Sequence, residues 1–218
     1  MAKLSGPMVT PKSGAAPRQV VVLLHGYGSD GADLIGLAGP WRDVLPDALF
    51  VAPNAPAPCA VNPGGYEWFP LERDDPDYRV AGARLAQPVI AEFLADLWRQ
   101  TGLGPAETLL CGFSQGAMMA LNVALTLETA VMGVVAFSGA LIAPADFADY
   151  AGPRPPVCLV HGDRDPVVDV EMSVAAAAAL NDRGFDVALH ISPGSDHTIA
   201  QDGLAFASAF LAERLAAA

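Results

Sequence analysis

Short apolar runs recur along the chain, and stretches with helical spacing lie between them. Val20-Val21-Val22-Leu23-Leu24 is a run of β-branched residues and leucine, the pattern of a strand covered on both faces. Similar runs at 49–52, 108–111, 131–138, 157–160 and 187–191 predict further buried strands. Helical spacing predicts helices over 32–44, 81–101, 115–127, 170–182 and 199–215. In the second of these, Leu85, Val89, Phe93 and Leu97 should form the buried stripe, and Pro88 should kink or restart the helix. Residues up to about 18 are rich in Pro, Gly, Ser and Lys and read as a lead-in with an edge strand around 7–10. Strands alternating with helices indicate an α/β protein. Its sheet should be predominantly parallel, with helices on both faces. No repeat or linker divides the chain, so residues 1–218 are expected to form one domain.

One stretch interrupts this alternation. Residues 55–77 are dense in Pro and Gly yet carry Tyr66-Glu67-Trp68-Phe69. So long a loop in a compact domain usually has work to do, and Trp68 and Phe69 are expected to line a substrate pocket.

Chemistry enters at Gly112-Phe113-Ser114-Gln115-Gly116, where an apolar strand gives way to an Ala/Met/Leu helix. This is the G-x-S-x-G nucleophile elbow in its strand–turn–helix setting. The glycines let strand and helix approach closely, and Ser114 would project from the carboxyl end of the sheet. The Gln115 N–H, at the positive end of a helix, could then donate to a developing oxyanion. The plainer reading is a tight turn that happens to carry a serine.

Composition narrows the partners. Hydrophobic residues make up 52% of the 218 and charged residues 17%, as in a globular chain. A net charge of −12 disfavours nucleic acid and a stable association with anionic membranes. Cys59, Cys111 and Cys158 lie far apart, with no CxxC or Cys/His cluster, so neither a disulfide framework nor a metal is expected. The first residues lack the apolar core of a signal peptide, and the expectation is a cytoplasmic protein.

A serine nucleophile needs a base, and the base needs an orienting acid. His190 falls inside a strand; His25 and His161 end strands and are expected to brace nearby loops. His197 alone lies in a polar loop, Ser192-Pro193-Gly194-Ser195-Asp196-His197-Thr198, and it comes last in chain order, as the Ser…Asp…His succession requires. For the acid, the loop His161-Gly162-Asp163-Arg164-Asp165-Pro166 offers two aspartates. Asp163 is placed to brace the turn; Asp165 stands further out, before a proline that restricts its backbone. Asp196, next to His197, fits a solvated charge or helix cap better. The second oxyanion donor should come from the loop after the first core strand, where Tyr27 is the nominee.

These motifs together resemble the phospholipase/carboxylesterase family of small α/β-hydrolases, which includes acyl-protein thioesterases. The markers are Leu24-His25-Gly26-Tyr27-Gly28, Val61-Asn62-Pro63-Gly64-Gly65 leading to Trp68-Phe69, the elbow, Phe137-Ser138-Gly139, the loop from His161 to Val168, and the loop around His197. The resemblance implies an α/β-hydrolase fold with no cap domain, a shallow cleft, and often a homodimer. It assigns Ser114, Asp165 and His197 to a triad and the amides of Tyr27 and Gln115 to the oxyanion hole. The pocket would be walled by Trp68, Phe69 and Val167. The implied substrate is a small ester or thioester, with no cofactor; the foremost expectation is a carboxylesterase for short to medium acyl chains, ahead of a thioesterase or lysophospholipase. Two departures stand out: Tyr27 replaces a common Leu, and Pro70 replaces an Asp often found after Trp-Phe.

Other classes compete. Gly26-Tyr27-Gly28-Ser29-Asp30-Gly31 matches G-x-G-x-x-G after a strand, the dinucleotide-binding context. That reading needs an acidic residue at the end of the next strand, which instead runs into Pro53-Asn54. A non-catalytic scaffold would be expected to have lost a triad member, and a cysteine-nucleophile relative such as dienelactone hydrolase would not carry serine at the elbow.

Overall fold

The computed structural model describes residues 4–71, 75–144 and 147–217. Strand β1 (Met8–Val9) precedes β2 (Gln19–Leu24), and helix α1 (Gly31–Leu34) runs through one 3-10 turn into α2 (Ala38–Val44). Strand β3 (Ala48–Val51) leads to a small hairpin, β4 (Ala57–Pro58) and β5 (Tyr66–Glu67). The long helix α3 (Pro76–Thr101), β6 (Thr108–Phe113), α4 (Gln115–Ala124), β7 (Gly133–Phe137) and β8 (Val157–Gly162) follow. Helix α5 (Glu171–Asn181), β9 (Val187–Ser192) and α6 (Gln201–Ala217) come last.

Seven strands form one sheet in the order β1-β3-β2-β6-β7-β8-β9, parallel except for the edge strand β1. The two-residue period of a strand sends alternate side chains to opposite faces. In β2, Val20, Val22 and Leu24 join a core layer with α3, α4 and α5. Val21 and Leu23 join the other layer, with α1, α2 and α6 around Trp41 and Phe210. Both faces are covered, which is why the strand sequences are continuously apolar instead of alternating. Removing a wholly buried side chain such as Leu23 costs about 2–5 kcal/mol.

Register decides where the chemistry can sit. Leu24 pairs with Gly112, Phe113 with Phe137, Phe137 with Val160, and Gly162 with Ser192. The parallel strands therefore finish at one rim, and the loops carrying His25, Ser114, Ser138, Asp165 and His197 all leave from it.

Helix α3 departs from the sequence reading in three ways. It begins at Pro76, because Asp75 caps it by accepting from the Asp77 N–H at 2.9 Å and Pro76 occupies the first turn, where no N–H is needed. It runs unbroken through Pro88 to Gly102, whose φ of 74° ends it in the left-handed conformation. Its buried stripe is Ala83, Ala86, Ile90, Leu94 and Leu97, while Leu85 is 78% exposed. Small alanines allow close packing on α4, and Val89 and Phe93 sit at the stripe's margin. The 55–77 loop also contains the β4–β5 hairpin, which its density of Pro and Gly does not suggest.

Candidate active site

The elbow is built by exclusion of volume. Ser114 has φ 53° and ψ −117°, a positive-φ conformation that side chains rarely adopt. A Cβ on Gly112 would stand 2.2 Å from the Gly116 carbonyl carbon, and one on Gly116 would stand 1.8 Å from the Leu24 carbonyl oxygen. Neither position tolerates alanine. The turn is held by the Ser114 N–H donating to the Phe137 carbonyl at 2.8 Å and by the Met118 N–H donating to the Ser114 carbonyl at 3.1 Å. Every residue of α4 is buried, so the serine is mounted on an element that cannot shift.

The loops after β8 and β9 are brought together by another glycine. A Cβ on Gly162 would fall 2.4 Å from the Ser195 carbonyl oxygen, so only glycine permits the contact. Across it, the Gly194 N–H donates to Asp163 Oδ1 at 2.6 Å and the Arg164 N–H to the Ser195 carbonyl at 2.9 Å. Asp163 thus braces the loop. Asp165 does something else: its Oδ2 lies 2.6 Å from His197 Nδ1, and its Oδ1 accepts from the Val167 and Val168 amides at 2.8 and 2.9 Å. Its side chain has no exposed surface. Burial works to raise its pKa, but the hydrogen bonds from His197 and from the Val168 and Val167 amides outweigh that, and the carboxyl is held below the usual carboxylate range. Tilted against Phe113, the residue before Ser114, the His197 ring has a centroid separation of 4.8 Å. Ser114, Asp165 and His197 therefore occupy neighbouring loops at one rim.

His25 and His190 are used structurally. His25 is wholly buried; its Nδ1 donates to the Gly26 carbonyl at 2.8 Å and its Nε2 accepts from the Ala55 N–H at 3.0 Å. Burial lowers its pKa, and the pattern is that of a neutral ring. His190 pairs with Asp202 at 2.8 Å and stacks on Phe206. Cys111 and Cys158 are buried hydrophobes, and burial pushes the Cys158 thiol up to about 12.

The loop after β2 spends its amides on the protein. The Gly28 N–H goes to the Tyr66 carbonyl, the Ser29 N–H to the Gly26 carbonyl, and the Gly31 N–H to Asn54 Oδ1. A Cβ on Gly31 would meet the Ala52 carbonyl oxygen at 1.9 Å. Packing thus accounts for the glycine pattern, and these amides are not free to cradle a pyrophosphate. The Tyr27 and Gln115 amides, by contrast, have no protein acceptor among the described residues. The Tyr27 phenol, half-buried beside Cys59 and Glu67, has its pKa raised by burial first and by those two partners second.

The expectation that Trp68 and Phe69 line the pocket needs correcting. Trp68 and Phe69 are 3% and 2% exposed, core residues with almost no surface to offer a ligand. The Trp68 indole donates to the His25 carbonyl at 2.9 Å, and its backbone N–H donates to Gln115 Oε1 at 3.0 Å. Gln115 Nε2 in turn donates to the Phe69 carbonyl at 2.6 Å. The aromatic segment is a clamp tying the loop of Tyr27 to the elbow, which explains why a loop carries so much apolar area. Val167 is 67% exposed beside the acid loop. A hollow bordering His197, about 320 Å³, is lined by Leu34, Leu37, Phe113 and Ile199 among others. Leu34 and Leu37 come from the α1–α2 segment, whose amphipathic pattern is indistinguishable in sequence from that of an ordinary core helix.

A family model described as phospholipase/carboxylesterase matches residues 6–215. The chain belongs to this family. It is 34% identical over 191 residues to esterase YpfH of Escherichia coli strain K12, covering 87% of this chain and 80% of that one. It is 30% identical over 229 residues to acyl-protein thioesterase 1 of Gibberella zeae, covering 96% and 95%. Among solved structures, esterase PE8 superposes with a TM-score of 0.93 at 58% identity, covering 97% of this chain and 99% of that one. This member of the family is a hydrolase acting on ester bonds, with an α/β-hydrolase fold and no cap domain evident among the described residues. No helix among the described residues is long and apolar enough to cross a membrane.

Proposed function

We propose that this protein is a serine carboxylesterase that cleaves small carboxylic esters of short to medium acyl chain through an acyl-enzyme. Ser114 Oγ attacks the ester carbonyl while His197 Nε2 takes its proton. The tetrahedral oxyanion is met by the Tyr27 and Gln115 amides, each worth on the order of 10²–10³ in rate. His197 then gives the proton to the departing alkoxide, leaving an acyl-Ser114. Water repeats the sequence: His197 removes its proton, the acid is released, and Ser114 regains its hydrogen. Asp165 holds the imidazole so that Nδ1 carries the hydrogen, and it stabilises the imidazolium formed in each half.

The observation that supports this most directly is the Asp165–His197 hydrogen bond, made between two loops and set against the residue that precedes Ser114. The hollow beside His197 lies at the small end of ligand-pocket volumes and is apolar on the Leu34, Leu37 and Ile199 side, which suits a short chain. A second reading, thioester hydrolysis, is favoured by the likeness to acyl-protein thioesterase 1 along nearly the whole chain. A chain-length series of aryl esters and acyl-thioesters on the purified protein tests both. Greatest kcat/KM on short and medium esters supports the carboxylesterase reading, and a preference for long thioesters would transfer the assignment.

A further inference from the structure

We infer that His25 is a positioning residue for the reaction: through the Gly26 carbonyl it sets the direction of the Tyr27 N–H. This rests on the oxyanion reading above. Two donors hold the Gly26 carbonyl oxygen, His25 Nδ1 at 2.8 Å and the Ser29 N–H at 3.1 Å. That oxygen belongs to the same planar peptide unit as the Tyr27 N–H. The unit is trans, as no cis peptide occurs among the described residues, so its N–H points away from its carbonyl. Fixing the oxygen on one side therefore aims the N–H on the other. The unit also lies at the nucleophile: a Cβ on Gly26 would stand 3.5 Å from Ser114 Cβ.

The role of each ring nitrogen follows from groups whose own roles are fixed. Ala55 presents a backbone N–H at 3.0 Å, which can only donate, so Nε2 accepts and carries no hydrogen. The Gly26 carbonyl can only accept, so Nδ1 carries the hydrogen. The ring is also held in place. It has no exposed surface, the Trp68 ring lies over it with centroids 5.3 Å apart, and the Tyr66 ring meets it edge-on at 6.4 Å. The His25 carbonyl accepts from the Trp68 indole at 2.9 Å, and a Cβ on Gly116 of the elbow would stand 2.6 Å from its oxygen. His25 thus joins the segment after β3, the aromatic segment and the elbow at one point.

The bonds run in one sense, from the Ala55 N–H through the ring to the Gly26 carbonyl, and on to the Tyr27 N–H. Each polarises the next and strengthens the last donor. A donor aimed before the reaction needs no reorientation when the oxyanion forms, which is where such groups gain their effect.

The test compares His25→Leu, which removes the donor, with His25→Asn, whose amide nitrogen can take the place of Nδ1. Both leave the Ala55 N–H without its acceptor and should lower Tm; only the first loses the donor on Gly26. On a short-chain aryl ester, His25→Leu should lower kcat by about tenfold or more with KM little changed, part of the loss expected from a whole oxyanion donor. His25→Asn should recover most of that loss despite its lower Tm. In a Tyr27→Pro background, where the N–H itself is gone, His25→Leu should cost almost nothing further. Equal losses of kcat in the Leu and Asn variants, following Tm, would overturn the proposal, as would a full, independent loss in the Tyr27→Pro background. Tyr27→Pro with normal kcat would instead sink the oxyanion reading itself. Should the variants not fold, nitrogen NMR of the unaltered protein decides: hydrogen on Nδ1 alone supports the assignment, and hydrogen on Nε2 contradicts it.

Discussion

Gly162 and Ser195 touch backbone to backbone, and that contact is what lets Asp165 Oδ2 and His197 Nδ1 come within 2.6 Å from two different loops. The two aspartates of the first loop divide the work. Asp163 ties it to Gly194, and Asp165 reaches the imidazole. Asp165→Asn should therefore reduce kcat on an aryl ester by about 10⁴, the loss seen when an orienting acid is replaced by its amide. Asp163→Asn keeps an oxygen that can still accept from the Gly194 N–H and should reduce it by less than about tenfold. Steady-state rates of the two variants settle the matter, and the opposite ranking would move the acid role to Asp163.

The elbow glycines should prove intolerant. Gly116→Ala would drive a methyl into the Leu24 carbonyl and so displace β2 or α4, both wholly buried. Strain of that kind belongs with the largest single-site losses, above about 4–5 kcal/mol. We expect little soluble protein and a severe fall in Tm; a melting curve like that of the parent would show that the strand and helix are less tightly apposed.

The clamp between Gln115 and the Trp68–Phe69 segment makes a separate prediction. Gln115→Ala leaves the Trp68 N–H and the Phe69 carbonyl without their partner inside the core. Each unsatisfied buried group costs about 1–3 kcal/mol, so Tm should fall clearly while the altered residue's own N–H is retained. Activity should fall as well, through loss of alignment between the Tyr27 and Gln115 amides, and chiefly in kcat. Unchanged Tm and kcat would show that the aromatic segment holds its place without the clamp.

His25 sets the direction of one pH effect. Its folded pKa lies below the unfolded value of about 6.5, so at lower pH the unfolded chain binds the extra proton and the folded chain resists it. This contribution to stability is complete above the unfolded pKa and is lost as pH falls below it. Tm should decline between pH 7 and 5, and His25→Asn, though less stable throughout, should show a shallower decline. Parallel slopes for the two proteins would contradict the assignment. Asp165 acts in a lower window: its depressed pKa contributes stability above about 3.9 that is lost on further acidification.

Parts of this molecule could be read from its sequence because a single local rule governs them. Continuous runs such as Val20 to Leu24 gave the buried parallel strands, and glycines two positions either side of Ser114 gave the elbow. Where two rules competed, local reading failed. Trp68 and Phe69 looked like pocket walls because aromatic area in a loop usually faces a ligand, and only the fold reveals the core cavity they fill. On α3, residue size points to Leu85 for the buried stripe, whereas close packing prefers Ala83 and Ala86. Asp75-Pro76 carries the cap signal for the helix start, but the loop's density of Pro masks it. Leu34 and Leu37 lie beside His197 through contacts between segments far apart in the chain, which no spacing encodes.

The central claim is that Ser114 carries the acyl group, and a mass measurement tests it most directly. The intact protein mixed with a slow-turnover aryl ester or an activated phosphonate should gain one acyl or phosphonyl mass, located by peptide mapping at Ser114. Ser114→Ala should gain none and should lose about 10⁶ in turnover, by precedent from another serine hydrolase. Labelling at a different residue, or undiminished labelling and turnover in Ser114→Ala, would contradict the account.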